Sequence, residues 1–414
     1  MREALVFICS IVVISLSAYA EGPGYAILTT SNIVSQSTAL SNFVAVKEAK
    51  GFTVSVVDNA SVVSGGWGGG SGETAATNLH AWLLANYTNA QEQILDYVLF
   101  IGNPTNDVPM KICYPRSTNE TCYTDFFYAD LTSDWDANSN GFYGEYTEYT
   151  NGAIDRTYEV AVGRIPYYGD IDALDYILGK IGSYESSSHT NMHWRDKAML
   201  AMRNQDTFTW GNEFGVYKVR NPILIPKEWD YAQLYYNTTP PCTEANVLST
   251  WTNSVFGAVF WWAHGNTAGT EAVGVMSVSS VPSLPDDNPV FTFQCGCLQG
   301  RPATTNNLAY ALLQNGAVST VGASEITFYV NMFLNSVWHN PGVNPRIESD
   351  FIRRIVIEKM PAGDALYDLK EDNPPTTITS TPECWWMNYL SYNLYGCPAV
   401  GIHSCRFAGP QWQF

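Results

Sequence analysis

The run Val255 to Ala263 (VFGAVFWWA) stops at His264 and Gly265, and a second run, Pro289 to Gln294 (PVFTFQ), stops at Cys295, Gly296 and Cys297. Both runs are short, rich in β-branched and aromatic side chains, and bounded by turn residues, which is the pattern of strands buried on both faces of a parallel sheet. His264 and Cys297 are 33 residues apart, about the length of one right-handed β-crossover-β unit. Neighbouring parallel strands end on one edge of their sheet, and open α/β sheets bind ligands at that edge. The spacing therefore brings an imidazole and a thiol together, each beside a glycine. Cys295 and Cys297 lie two apart on an extended chain and face the same side, so either supplies the thiol.

The chemistry needs both groups. A thiol is mostly protonated at neutral pH, and a neighbouring imidazole that takes its proton makes the sulfur a competent nucleophile. Glycine beside each residue admits the substrate and leaves backbone N–H groups to hold an oxyanion. The competing reading is structural, with His264 a polar residue at a strand end and Cys297 a small buried hydrophobe.

The chain has 414 residues, enough for one large or two medium domains. Its 39 acidic residues outnumber 21 basic ones, for a net charge of −18. That excludes nucleic acid and anionic membrane surfaces as partners, since both require a basic face. Residues 1–20 read as a signal peptide: a charged head at Arg2 and Glu3, an apolar stretch from Ala4 to Leu16 too short to span a bilayer, and small-x-small cleavage after Ala20. No later stretch is long and apolar enough for a membrane span, so the mature protein is expected outside the cell. With Cys9 removed, eight cysteines remain in an oxidising compartment. Cys113 with Cys122 is the expected local bridge, and Cys384, Cys397 and Cys405 are expected to tie down the C-terminal tail.

Along the chain, strands at Tyr25 to Thr30, Phe52 to Asp58 and Tyr97 to Gly102 alternate with helices at Ile33 to Lys50 and Glu73 to Tyr87. This alternation predicts an α/β fold with a parallel sheet. SGGWGGGSG, Ser64 to Gly72, has no following Gly-Lys-Ser/Thr, so it reads as a mobile surface loop rather than a phosphate site. Regular periodicity dissolves between Cys113 and Ile154. Within that stretch Asp134, Asp136, Asn138 and Asn140 alternate up to Gly141, with Glu145 following. Alternate oxygen-bearing side chains ending at glycine are what a structural calcium loop needs, although Thr147 stands where an EF-hand has its bidentate Glu. The competing reading is a turn rich in Asn and Asp. A strand at Glu159 to Pro166 and a helix at Ile171 to Glu185 precede a polar passage, Ser186 to His193, that marks the boundary between halves. Beyond it, strands are expected at Ala198 to Met202, Pro222 to Ile225 and Ala317 to Gly322. Helices are expected at Glu244 to Asn253, Leu308 to Gln314, Ile347 to Lys359 and Met387 to Tyr395. The remaining histidines show no zinc-ligand spacing, so no catalytic metal or other cofactor is expected.

The central stretch resembles gingipain-type cysteine peptidases, relatives of caspases, legumains and clostripain. In that family His-Gly ends one strand, and Cys followed by apolar-x-Gly ends the next. Here those motifs are AHG at Ala263 to Gly265 and CLQG at Cys297 to Gly300. The resemblance extends to EVAVGRIP from Glu159, to QNGAVSTVGAS from Gln314 and to the strand-helix-strand opening near Tyr25. It departs at Gly396-Cys397-Pro398, where the family often has Gly-Asp-Pro.

The resemblance implies a caspase-like open, mostly parallel sheet flanked by helices, in two adjacent α/β subdomains at residues 21–190 and 191–414. It implies a secreted cysteine endopeptidase acting on proteins or peptides. It also selects Cys297 over Cys295 as nucleophile. His264 is the implied proton shuttle, with the N–H groups of Gly265 and Cys297 forming the oxyanion hole. Asp125, in TDFFYADL, is the implied carboxylate that orients His264. Asp155, four residues before Glu159, is the implied acidic floor of the primary pocket, giving cleavage after Arg or Lys; its competing reading is a turn residue neutralised by Arg156. A reading of another class is a catalytically silent caspase-like module that binds partners at the cell surface through its many Tyr and Trp residues.

Overall fold

The computed structural model describes residues 22–89, 92–187, 192–204, 211–329, 342–375 and 381–403. The expected signal peptide, His189, His339 and Cys405 lie outside them. Ten strands form one sheet: β1 (Gly24–Leu28), β2 (Thr53–Val57), β3 (Tyr97–Gly102), β4 (Ala161–Pro166), β5 (Lys197–Met202), β6 (Asp230–Tyr235), β7 (Ala258–Trp262), β8 (Val290–Cys295), β9 (Ala317–Ala323) and β10 (Tyr392–Gly396). Their spatial order is β6-β5-β7-β8-β9-β10-β4-β3-β1-β2. The strands are parallel within each half, and β10 joins the halves, running antiparallel to β9 and pairing with β4 at Tyr395 and Arg164.

The antiparallel contact between β9 and β10 sets the C-terminal ends of β7, β8 and β9 on one edge with the N-terminal end of β10. The segment that follows the C-terminal end of β3 reaches the same edge, where Ser324 Oγ donates to Tyr123 O at 2.5 Å. The chain shows this directly where it leaves β9 and enters β10, since Ser324 N–H donates to Ser391 O at 2.9 Å. Loops from both halves of the sequence therefore surround one sheet edge.

The apolar runs of β7 and β8 divide their side chains between two faces, as expected for strands covered on both sides. Phe260, Trp262, Phe293 and Cys295 join the larger core, where Phe293 packs on Phe351 of helix Asn344–Arg353. Val259, Trp261 and Val290 meet helices Glu244–Thr252 and Leu308–Gln314 on the other face. The larger core contains Leu99, Phe293 and Leu394 together, so it runs through both expected subdomains. Among the described residues no helix is long and apolar enough to cross a membrane.

Four expectations change. Pro222 to Ile225 is not a strand: it closes a π-helical stretch, Gly215–Leu224, and the edge strand is β6. A proline has no N–H to give a ladder, which disfavours a strand interior at Pro222. The expected helix at Met387 to Tyr395 is helix Glu383–Ser391 followed by β10. The helical spacing of that segment yields at Tyr392 because neighbours on both sides supply backbone partners. Part of the irregular stretch after Cys113 forms a hairpin, Lys111–Ser117 with Glu120–Thr124. The glycine-rich loop is anchored, because Trp67 is fully buried and donates its Nε1–H to Thr29 O at 3.2 Å.

The expected disulfides are absent among the described residues. Cys113 and Cys122 stand opposite each other in the hairpin, yet both are free thiols. Cys122 Sγ pairs instead with Ser391 Oγ at 3.3 Å, while Cys113 Sγ fills the space a side chain on Gly144 would need. Cys384 and Cys397 are also free, and Cys397 Sγ sits 3.2 Å from Tyr25 OH.

Candidate active site

β7 and β8 are paired up to Trp262 and Cys295, and Ala263 N–H then donates to Cys295 O at 3.0 Å. His264 and Cys297 thus leave adjacent strand ends side by side. The chain after His264 turns back at once: Gly265 bridges Ala272, with Val273 N–H to His264 O at 2.7 Å and Asn266 N–H to Glu271 O at 3.1 Å. In a bridge of this type the paired residues keep their own N–H and C=O out of the ladder, which leaves the Gly265 N–H available. Glycine is required here, because a Cβ on Gly265 would lie 1.8 Å from Cys297 O. At Gly296 a Cβ would lie 2.3 Å from Ala263 O, so the two glycines let the backbones touch.

The CLQG motif acquires a physical meaning. Leu298 has φ +63, a left-handed conformation that costs a non-glycine residue roughly 1 kcal/mol or more. It is held there by Leu298 N–H to Glu325 O at 3.1 Å and Gly300 N–H to Ala323 O at 2.8 Å. Gln299 is buried and accepts Trp261 Nε1–H at 2.9 Å, and Gly300 leaves room for the Tyr395 ring. The sharp turn presents Cys297 at the edge of the sheet.

The two cysteines part company at Gly296. Cys295 is wholly buried, takes a hydrogen bond from Tyr392 OH at 3.8 Å, and its thiol is pushed well up, first by burial and then by the Glu348 carboxyl. Cys297 is half-buried, and its hydrogen bonds among the described residues all go to Thr327. His264 is exposed, with Tyr329 edge-on to its ring at 6.0 Å between centroids.

The other expected site residues come from the first half of the sequence. Asp125 is buried, with both carboxylate oxygens taken by Arg164 of β4, at 2.8 Å from Nε and 2.5 Å from Nη2. Asp155 is exposed on the approach to β4, its oxygen accepting Thr157 N–H at 2.8 Å. β4 lies three strands from β8, roughly 14 Å along the sheet. Arg156 does not neutralise Asp155; its Nη1 donates to the carbonyls of Lys370 and Glu371 at 2.5 and 2.7 Å. Buried Asp130, held by Ser133 and close to Asp155 and Glu159, has its carboxyl pushed up to about 7, chiefly by burial.

In the loop from Asp134 to Glu145, Asp136 Oδ1 accepts the N–H groups of Asn140 and Gly141 at 3.0 and 3.1 Å. Asn138 and Asn140 both donate to Glu145 Oε2, at 2.9 and 2.8 Å, and Asp134 Oδ1 accepts Asp136 N–H at 3.3 Å. Among the described residues no group of three or more His, Cys, Asp and Glu side chains is placed to hold a metal ion.

Sequence reasoning passed over Thr327, Tyr329, Asn344 and Asn388. Nothing in their local pattern marks them; they reach the site because β9 and helix Glu383–Ser391 end, and helix Asn344–Arg353 begins, beside it.

Residues 18–403 match the model of peptidase family C25. The crystal structure of the Arg-specific cysteine proteinase gingipain R (RgpB) superposes with a TM-score of 0.68 and 16% identity, covering 93% of this chain and 79% of that one. The complex of Porphyromonas gingivalis RgpB pro- and mature domains gives 0.66 and 14%, covering 92% and 80%. No curated protein matches the sequence. The fold is that of the gingipain structures, and the family model spans nearly the whole chain: the protein belongs to peptidase family C25 and is a cysteine-type peptidase.

Proposed function

We propose that the protein is a secreted endopeptidase in which Cys297 is the nucleophile and His264 its proton shuttle. The observation that carries this reading is the backbone contact between Gly265 and Cys297 at the ends of β7 and β8. Cys297 Sγ attacks the scissile carbonyl as its proton passes to His264, and the carbonyl oxygen becomes an anion received by the N–H groups of Gly265 and Cys297. The C–N bond then breaks, and the amine leaves with the proton from His264. Water activated by the same imidazole hydrolyses the thioester. Asp125, expected as the residue that orients His264, we read as the anchor of Arg164.

Asp155 is the proposed determinant of cleavage after Arg or Lys. Its support is an exposed carboxylate in the loop that enters β4, with Arg156 turned away from it and Glu159 and Asp130 adding negative charge nearby. Calcium is proposed as a structural ion of the Asp134 to Glu145 loop. The donor set fits a hard cation: turning the amides of Asn138 and Asn140 would set their oxygens beside the carboxylates of Asp136 and Glu145.

A thiol-directed peptidyl probe tests the nucleophile. Labelling and hydrolysis should both vanish in Cys297→Ala, with the melting curve retained, whereas Cys295→Ala should keep substantial activity and lose only packing. The reverse pattern would transfer the role to Cys295.

A further inference from the structure

Three atoms of Thr327 surround the Cys297 sulfur. The Thr327 carbonyl accepts the thiol proton at 3.5 Å, while its backbone N–H and hydroxyl lie 3.4 and 3.7 Å from Sγ. These contacts respond differently to loss of the proton. The carbonyl contact disappears with the S–H, and the two donors bind an ionised sulfur roughly twice as strongly as a neutral one.

The segment carrying Thr327 is fixed from below by two buried asparagines. Asn388, on helix Glu383–Ser391, accepts Phe328 N–H at 2.7 Å and donates to Phe328 O at 2.8 Å. Asn344, at the start of helix Asn344–Arg353, donates from Nδ2 to Thr327 Oγ1 at 2.8 Å. With that N–H on one lone pair, the threonine hydroxyl can turn its own hydrogen to the sulfur. Thr327 is 5% exposed, Asn344 2% and Asn388 0%, so this polar cluster is assembled out of water, where only well-made hydrogen bonds offset the cost.

We propose that Thr327 is a positioning residue for the peptidase nucleophile: its N–H and hydroxyl hold the Cys297 sulfur, and hold it more firmly once the proton has gone to His264. Asn344 orients the hydroxyl that does this. The inference rests on the reading of Cys297 as the nucleophile.

Two measurements on the full chain test it. One is the rate of Cys297 alkylation by iodoacetamide, followed by mass spectrometry of the Cys297 peptide; the other is steady-state peptide hydrolysis. Thr327→Val keeps the side-chain shape and removes the hydroxyl. Alkylation and kcat should each fall about tenfold, the loss of one charge-assisted hydrogen bond, with KM nearly unchanged. Thr327→Ser should regain most of both. If the valine variant does not fold, Thr327→Ala replaces it in the comparison with serine. A valine or alanine variant that reacts and turns over like the parent, or a serine variant no better than either, overturns the proposal. Cys297→Ala separates this inference from the reading beneath it. Persistent hydrolysis there would reject the nucleophile assignment, while the alkylation rates would still decide the role of Thr327.

Discussion

The Asp125–Arg164 pair offers the sharpest test of how this structure is held together. Both side chains are essentially inaccessible, at 1% and 0% exposure, and Arg164 donates two hydrogen bonds to Asp125 and a third, at 2.5 Å, to Val108 O. Replacing Asp125 by Asn leaves a guanidinium in the core without its counter-charge. Breaking one side of a buried pair costs about 3 to 5 kcal/mol, most of it the penalty of the stranded charge. Urea denaturation of Asp125→Asn should show a loss of that size, while kcat, corrected for the folded fraction, stays within a few-fold of the parent. Removing both charges, with Asp125→Leu and Arg164→Met, should recover much of the stability, since no charge is then buried. If Asp125 instead orients His264, the asparagine variant should keep its stability and lose up to roughly 10⁴ in kcat, the scale known for a catalytic-triad acid. That outcome would refute the structural assignment.

Three further outcomes are expected. Asp155→Asn should erode any preference for Arg or Lys in peptide-library profiling; an unchanged basic preference, or parent cleavage after small or acidic residues, removes Asp155 from the pocket. A chelator should lower the melting temperature and calcium should restore it, through the oxygen-rich loop from Asp134 to Glu145; a melting temperature indifferent to calcium would reject the site. Asp130, whose carboxyl sits at about 7 when folded, binds its proton more tightly than the unfolded chain does. Its contribution is therefore fully present below the ordinary carboxylate range, and stability falls as pH rises from about 4 to about 7. Asp130→Asn should remove that part of the slope, on the order of 2 to 3 kcal/mol at its upper bound, between denaturation curves taken at pH 5 and pH 8. Parallel pH profiles for variant and parent would contradict it.

The sequence alone determined the parallel sheet, the adjacency of His264 and Cys297, and the need for glycine beside each. Those features are local: continuous apolar runs, turn residues and a crossover-length spacing are all written within a few dozen residues of chain. The motif CLQG could also be read in advance, although its reason could not. Leu298 turns left-handed and Gln299 is buried because Trp261, Ala323 and Tyr395 come to meet them. Tertiary structure alone decided that β10 enters the sheet between the two halves, overriding a helical spacing, and so brought the loops of both halves to one edge. It also separated the cysteines. Two thiols two residues apart look alike in sequence, but burial leaves Cys295 protonated and presents Cys297 to Thr327, 30 residues away. Asp125 likewise reads as a free acid until Arg164, 39 residues on, takes both its oxygens. Periodicity specifies which face of an element is apolar, whereas the partner of a buried polar group depends on elements that meet only when the chain has folded.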